Sequence, residues 1–152
     1  MHRFLGLILC GLTLTLAFPS SAAPARILKV LTHLVDQQGR HTLSPSLFER
    51  DAYQSRLRKS PESVSGLRFD IQWKRGESRV RPLRMRVETR GAKAGAKPIV
   101  VEREVDFRGL FTAWAKLPLS REQYLALGGV SAWRATLWDG EQMLDEVKSF
   151  LW

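Results

Sequence analysis

The chain is 152 residues long, carries 24 Lys and Arg against 15 Asp and Glu, and holds one cysteine, Cys10. Hydrophobic residues at 44% and charged residues at 26% exclude a disordered chain and a multi-span membrane protein. The net charge of +9 and a pI near 10.4 predict a basic surface, which bears on partners and solubility rather than on fold.

The chain opens with Met1-His2-Arg3, continues as an apolar run over 4–18, and then turns to small residues from Pro19 to Ala25. This order of a positive start, an apolar stretch and a small-residue end is that of a secretory signal. Small residues suit a cut after Ala22 (Ser20 and Ala22) or after Ala25 (Ala23 and Ala25); with the former preferred, 1–22 is expected to be a signal peptide and 23–152 one β-sandwich domain. The protein is therefore expected to be exported, either periplasmic or extracellular. The apolar run ends at Pro19, short of the roughly 20 residues that a membrane anchor needs. Leu9 precedes Cys10 where a lipidation site needs a small residue, so Cys10 reads as part of the leader. The mature chain then has no cysteine, and a packed core must supply the stability that disulfides would otherwise add.

Residues 26–35 form a β-branched and Leu-rich run that stops at Asp36-Gln37-Gln38-Gly39, which predicts a strand and a turn. Ser44-Pro45 then marks a helix start. Glu49 and Asp51 come early, and Arg56, Arg58 and Lys59 come late, matching the helix macrodipole over about 45–59. Phe48 with Ala52, and Tyr53 with Leu57, are the i,i+4 pairs expected to hold this helix to the core. From Gly66 the period is two: Leu67, Phe69, Ile71 and Trp73 alternate with Arg68, Asp70, Gln72 and Lys74, as a strand with one dry and one wet face requires. Leu83, Met85 and Val87 repeat the pattern. The small-residue loop 91–98 leads to strands over 99–106 and 110–117, separated by Arg108-Gly109. Ser120 and Gln123 form a capping-box signature for a short helix through Leu127, ended by Gly128-Gly129. Asp139-Gly140 between apolar runs predicts a final hairpin; a two-residue loop there pairs Arg134 with Asp145 and Trp133 with Glu146. The face carrying the aromatics stays open, because a one-residue slip reverses it.

Seven strands at short spacing, without long crossover helices, predict a mainly β, antiparallel sandwich with a short helical insertion. In element order, 26–152 resembles an immunoglobulin-like or fibronectin type III-like sandwich. The immunoglobulin cysteine pair is absent, and Trp73 is placed to act as the core tryptophan. Residues 43–54, Leu-Ser-Pro-Ser-Leu-Phe-Glu-Arg-Asp-Ala-Tyr-Gln, together with Ser149-Phe150-Leu151-Trp152, resemble segments of small uncharacterised secreted bacterial proteins.

No chemistry of catalysis is spelled out. His33 and His41 flank Asp36, without cysteine and without helical i,i+4 spacing, so neither is expected to ligate a metal, and His33, on a strand next to a turn, is expected to be an ordinary surface or half-buried histidine. Ser44, Ser46 and Ser120 serve helix starts, and no Gly-x-Ser-x-Gly elbow occurs. Glu102, Glu104 and Asp106 alternate with Val101, Arg103 and Val105, the wet face of a strand. The loop 91–97 lacks the end of a phosphate cradle. No enzyme activity, metal or cofactor is expected.

The basic residues suggest binding instead. Arg79, Arg81, Arg84, Arg86 and Arg90 lie within twelve positions, and the last three share one strand face. They are candidate anion-binding residues for a protein or an anionic envelope polymer; the plainer alternative is a solvated strand face in which Glu88 and the neighbouring strand's Glu102 and Glu104 neutralise part of the charge. Nucleic acid is least favoured, because export removes the domain from the cytoplasm. A monomer or weak oligomer with no membrane span after cleavage is expected. The alternative is a carbohydrate-binding module using an exposed tryptophan; of Trp114, Trp133, Trp138 and Trp152, the candidate is Trp138, beside the hairpin turn.

Overall fold

A computed structural model of the protein describes residues 25–76, 82–107 and 111–152. The leader 1–22 with its cut after Ala22, Arg79 and Arg81 of the basic run, and the Arg108-Gly109 turn lie outside the described residues. Among the described residues, no helix is long and apolar enough to cross a membrane.

The described residues form a mainly β sandwich of seven strands in two antiparallel sheets. The elements are β1 (Arg26–Asp36), α1 (Leu47–Lys59), a 3-10 turn (Pro61–Ser63), β2 (Val64–Lys74), β3 (Leu83–Gly91), β4 (Ile99–Val105), β5 (Ala113–Ser120), α2 (Arg121–Leu127), β6 (Val130–Asp139) and β7 (Gln142–Lys148). One sheet has the order β1-β2-β5 and the other β4-β3-β6-β7. The period-two stretches fall where their alternation requires. Leu67, Phe69, Ile71 and Trp73 of β2 are buried, and so are Leu83, Met85 and Val87 of β3. They meet Ala115, Leu117 and Leu119 of β5 and Ala135 and Leu137 of β6 in one core. Each large side chain fully buried this way contributes roughly 1.5–3 kcal/mol.

The two open sides of the sandwich are stitched by side chains that bond to backbone. Asp145 of β7 accepts the Ile27 amide of β1 at 2.7 Å, and Arg103 of β4 donates to the Lys116 carbonyl of β5 at 3.2 Å. At one end α2 bridges the sheets. Its capping box is complete: the Ser120 hydroxyl accepts the Gln123 amide, and the Gln123 side chain accepts the Ser120 amide. Gly128, in the left-handed region at φ 64°, ends it.

Two expectations are corrected. Helix α1 begins at Leu47 with Ser46 as N-cap, and Ser44 acts one step earlier by accepting the Ser46 amide. It is held by Tyr53, Gln54 and Leu57, whereas Phe48 is 82% exposed. In the last hairpin the two-residue loop is Gly140-Glu141, with Gly140 at φ 58°, and a register shift follows between Leu137 and Trp138. Arg134 therefore faces Lys148 instead of Asp145, and Leu137 faces Asp145. The shift settles the faces. Trp133 turns inward, edge-on to Phe69 with centroids 6.3 Å apart, and Trp138 turns outward beside Arg84.

Strand β2 carries one glycine whose absent side chain is structural. A Cβ at Gly66 would lie 2.3 Å from the Leu119 carbonyl oxygen of β5. Gly66→Ala must push the two strands apart, and the expected loss is roughly 1–3 kcal/mol. A urea midpoint equal to that of the wild type would show that β2 and β5 are not in this register.

Candidate functional site

Two polar assemblies stand on the outer faces of the two sheets. The first is the face of β4-β3-β6-β7 that holds the predicted basic strand. Arg84, Arg86, Glu88 and Arg90 point outward from β3, opposite the buried Leu83, Met85 and Val87. Arg84 faces Glu104 on β4 and Trp138 on β6; Arg86 faces Glu102 and Thr136; Glu88 faces Arg134. The register thus sets acids beside bases. Arg84 lies 3.7 Å from Glu102, and Arg86 reaches Glu88 at 3.0 Å and Glu102 at 3.4 Å. Arg134 reaches Glu88 at 2.8 Å and Glu146 at 3.5 Å, and Lys148 continues the ladder to Glu146. Much of the stripe is therefore neutralised within the face. Such half-exposed pairs contribute about 0–1 kcal/mol each to stability.

Arg90 differs. It is exposed, it faces Ala132, and among the described residues no carboxylate lies within ion-pair distance of it. Its guanidinium sits over the Trp152 ring at 4.1 Å, and that of Arg134 lies over the same ring at 5.1 Å. Trp138 is half-buried, with its indole N–H donated to Thr136 at 2.8 Å and Arg84 5.8 Å from its ring. The tryptophan with half its surface in solvent is Trp114 of β5, 49% exposed. It borders a groove between the edge strands β4 and β5 that Arg103, Glu104, Asp106 and Lys116 also line. The alternation of β5 places Trp114 and Lys116 on its outer face, but which strand edge stays open is set by sheet order, and no local signal carries that.

The second assembly is on the outer face of β1-β2-β5. His33 of β1 and Asp70 of β2 are both 7% exposed, and His33 Nδ1 lies 2.9 Å from Asp70 Oδ2. Arg68, two residues before Asp70, grips both carboxylate oxygens at 2.8 and 2.9 Å. Its Nη2 also lies 3.2 Å from His41 Nδ1. The two imidazoles are 4.6 Å apart, tilted by 39°. Burial alone would push the Asp70 carboxyl up, but the bonds from Arg68 and His33 hold it below the usual range. The expectation of a surface or half-buried His33 is corrected here: the register of β1 on β2 sets His33 opposite Arg68, where it is buried, and His41, half-buried, lies against both.

His33, His41 and Asp70 together offer three ligand atoms within 4.8 Å of one another. The donor set suits a transition-metal ion, and Arg68 Nη2 lies within hydrogen-bond distance of both His41 Nδ1 and Asp70 Oδ2.

The same segment is anchored at both ends. Asp36, 4% exposed, accepts the Tyr53 hydroxyl at 2.5 Å, the Arg40 guanidinium at 2.8 Å, and the Gln38 and Arg40 amides. Gln54 pairs with both backbone groups of Leu34 and also donates to the His41 carbonyl. Burial alone would push the Asp36 carboxyl up, but the Tyr53 hydroxyl, Arg40 and the two amides bring it down to about 2. Because this folded value lies below the ordinary carboxylate value, Asp36 stabilises the fold fully above about pH 4. That contribution is lost as pH falls towards 2. Urea midpoints should fall across this window in the wild type and fall less steeply in Asp36→Asn. Parallel slopes would remove Asp36 as the cause.

Compared with known proteins, the chain matches no family model, no curated sequence and no solved structure. Function must therefore be argued from these two faces.

Proposed function

We propose that this protein is a non-enzymatic, exported β-sandwich that binds an envelope macromolecule bearing anionic groups, as a binding or accessory module. Placing the first, second and fifth strands in one sheet and the remaining four in the other supports an immunoglobulin-like, fibronectin type III-like arrangement. Such sandwiches bind through exposed sheet faces and end loops, and fold alone selects no ligand. The observation that carries the reading is the corner where Arg90 and Arg134 share the Trp152 ring. Arg84 and Arg86 spend their charge on Glu102 and Glu88, while Arg90 keeps its charge for an outside anion. An indole beneath a guanidinium fixes its plane, which suits bidentate contact with a carboxylate or phosphate.

Retention on heparin or on an anionic-lipid surface, at low and physiological salt, tests this. Wild-type retention should fall as salt shortens the Debye length to about 8 Å. Arg90→Gln should weaken retention more than the Arg84→Gln, Arg86→Gln double variant, with melting unchanged in the first. Equal retention of Arg90→Gln and wild type would refute the anionic reading.

A second reading, carbohydrate binding, is favoured by Trp114. An exposed indole flanked by lysine, arginine and carboxylates offers a stacking platform and planar partners for hydroxyl groups. Loss of polysaccharide retention in Trp114→Ala, with retention kept in Arg90→Gln, would select it.

A further inference from the structure

Strand β7 is followed by a four-residue turn, 149–152, which the Trp152 amide closes by donating to the Ser149 carbonyl at 3.2 Å. Its two central residues are Phe150, 101% exposed, and Leu151, 69% exposed. The turn is held on both sides. Ser149 donates its amide to the Trp133 carbonyl at 2.9 Å and accepts the Trp133 amide on its hydroxyl at 3.0 Å. The Trp152 ring lies under Arg90 and Arg134. An apolar pair is thus presented at a fixed place on the surface, beside cations.

We propose that this end of the β4-β3-β6-β7 sheet docks on a membrane: Phe150 and Leu151 enter an anionic lipid bilayer, and Arg90, Lys93 and Lys97 meet its headgroup phosphates. The partner of the anionic reading, on which this rests, is thereby a lipid surface rather than a polymer.

Charge selects the occupant. Strand pairing brings three segments to this end: Thr89 pairs with Ile99, Gly91 with Val130, and Arg134 with Lys148. Residues 89–99, 127–133 and 147–152 contain Arg90, Lys93, Lys97 and Lys148, and not one Asp or Glu. Lys148 pairs with Glu146 at 3.7 Å. Arg90, Lys93 and Lys97 are all exposed, and among the described residues no carboxylate lies within ion-pair distance of any of them. The loop that carries the lysines is fixed as well. Its Ala92 amide donates to the Gly129 carbonyl and its Lys93 amide to the Leu127 carbonyl, each at 3.0 Å.

A soluble polyanion would meet these cations but leave Phe150 and Leu151 in water. A second copy would cover the apolar pair, but a two-fold contact sets the free cations against their own counterparts. An anionic bilayer suits both features: apolar side chains gain by leaving water, and the negative surface attracts each cation. Trp152, next in sequence and stacked on Arg90, suits the headgroup level, where indoles gather. Two apolar side chains and a few cations make this docking peripheral and reversible.

The test is co-sedimentation with vesicles of phosphatidylcholine alone and of equal parts phosphatidylcholine and phosphatidylglycerol, run beside retention on heparin. The wild type should partition onto the mixed vesicles and not onto phosphatidylcholine alone. Changing Phe150 and Leu151 together to Ser should lower vesicle partitioning at least about tenfold and leave heparin retention and melting unchanged. Arg90→Gln should weaken both kinds of binding. Equal partitioning of the double Ser variant and the wild type overturns the membrane proposal, and heparin retention lost in Arg90→Gln would still uphold the anionic reading. Equal wild-type partitioning onto both kinds of vesicle overturns it too. So does a dimer in sedimentation velocity that the double Ser variant abolishes, since the apolar pair would then serve a second copy. If the double variant melts early, Phe150→Ser alone decides by the same readouts.

Discussion

Asp70→Ala should cost about 3–5 kcal/mol of stability, several times the cost of any single substitution on the charged face of the other sheet. Asp70 is the counter-charge of a desolvated group. The Arg68 side chain is 17% exposed and donates two bonds to this carboxylate, while His33 Nδ1 lies within hydrogen-bond distance of it. Lys116 lies across the strand from Asp70, so removing the carboxylate leaves cations facing one another on a half-dry surface. The cost is that of an uncompensated charge, not the worth of the pair. The double variant Arg68→Met, Asp70→Leu removes both charges and should recover most of the loss, because apolar replacement of a buried pair is often neutral. Urea denaturation of wild type, single and double variants measures both. A single variant within about 1 kcal/mol of the wild type would mean that water reaches the cluster.

What the sequence shows and what it hides divides by range. The capping box at Ser120 and Gln123 is a three-residue pattern, and it is complete in the structure. The alternation in β2 and β3 is equally local, since period two states which side chains are dry before any partner is known. Helix α1 was half legible. Its charge order placed it, but Phe48 and Ala52 share the spacing of Tyr53 and Leu57, and only the position of the helix against β1 decides which pair is covered. The hairpin failed on a single residue. Moving the loop to Gly140-Glu141 and adding a register shift changes every cross-strand pair, although both alternatives keep a turn at Gly140.

Charge was the hardest property to read. A run of arginines in one strand reads either as a positive stripe or as a solvated face part-neutralised by Glu88, Glu102 and Glu104, and the pairing of β3 with β4 brings Glu102 and Glu104 to that face. Those neighbours are set by sheet order, and the sequence carries no direct record of it. His33 and Asp70 are 37 residues apart and meet only because β1 pairs with β2 in one register. Each residue alone looked ordinary, and their meaning lies in the pairing.

Trp73→Ala should be the most damaging core substitution, at about 3–5 kcal/mol. Trp73 closes the end of β2 at 1% exposure, between Ile27 of β1 and Ala113 of β5. Its ring meets Phe107 edge-on, centroids 5.4 Å apart. Phe107 directly follows β4 and Asp106, so this contact ties the two sheets together without a disulfide. Alanine removes the largest side chain of the core and leaves a void that neighbours of both sheets must close at once. Trp73→Phe keeps a ring in that space and should lose less. Trp133, half-buried against Phe69, should fall between Trp73 and Trp114 when each is changed to Ala, and Trp114→Ala should stay within about 0.5 kcal/mol of the wild type. Urea midpoints at constant slope give the order directly. Should Trp114→Ala prove as costly as Trp73→Ala, the outer face of β5 must be covered, and the sandwich would have its core on the opposite side of that strand.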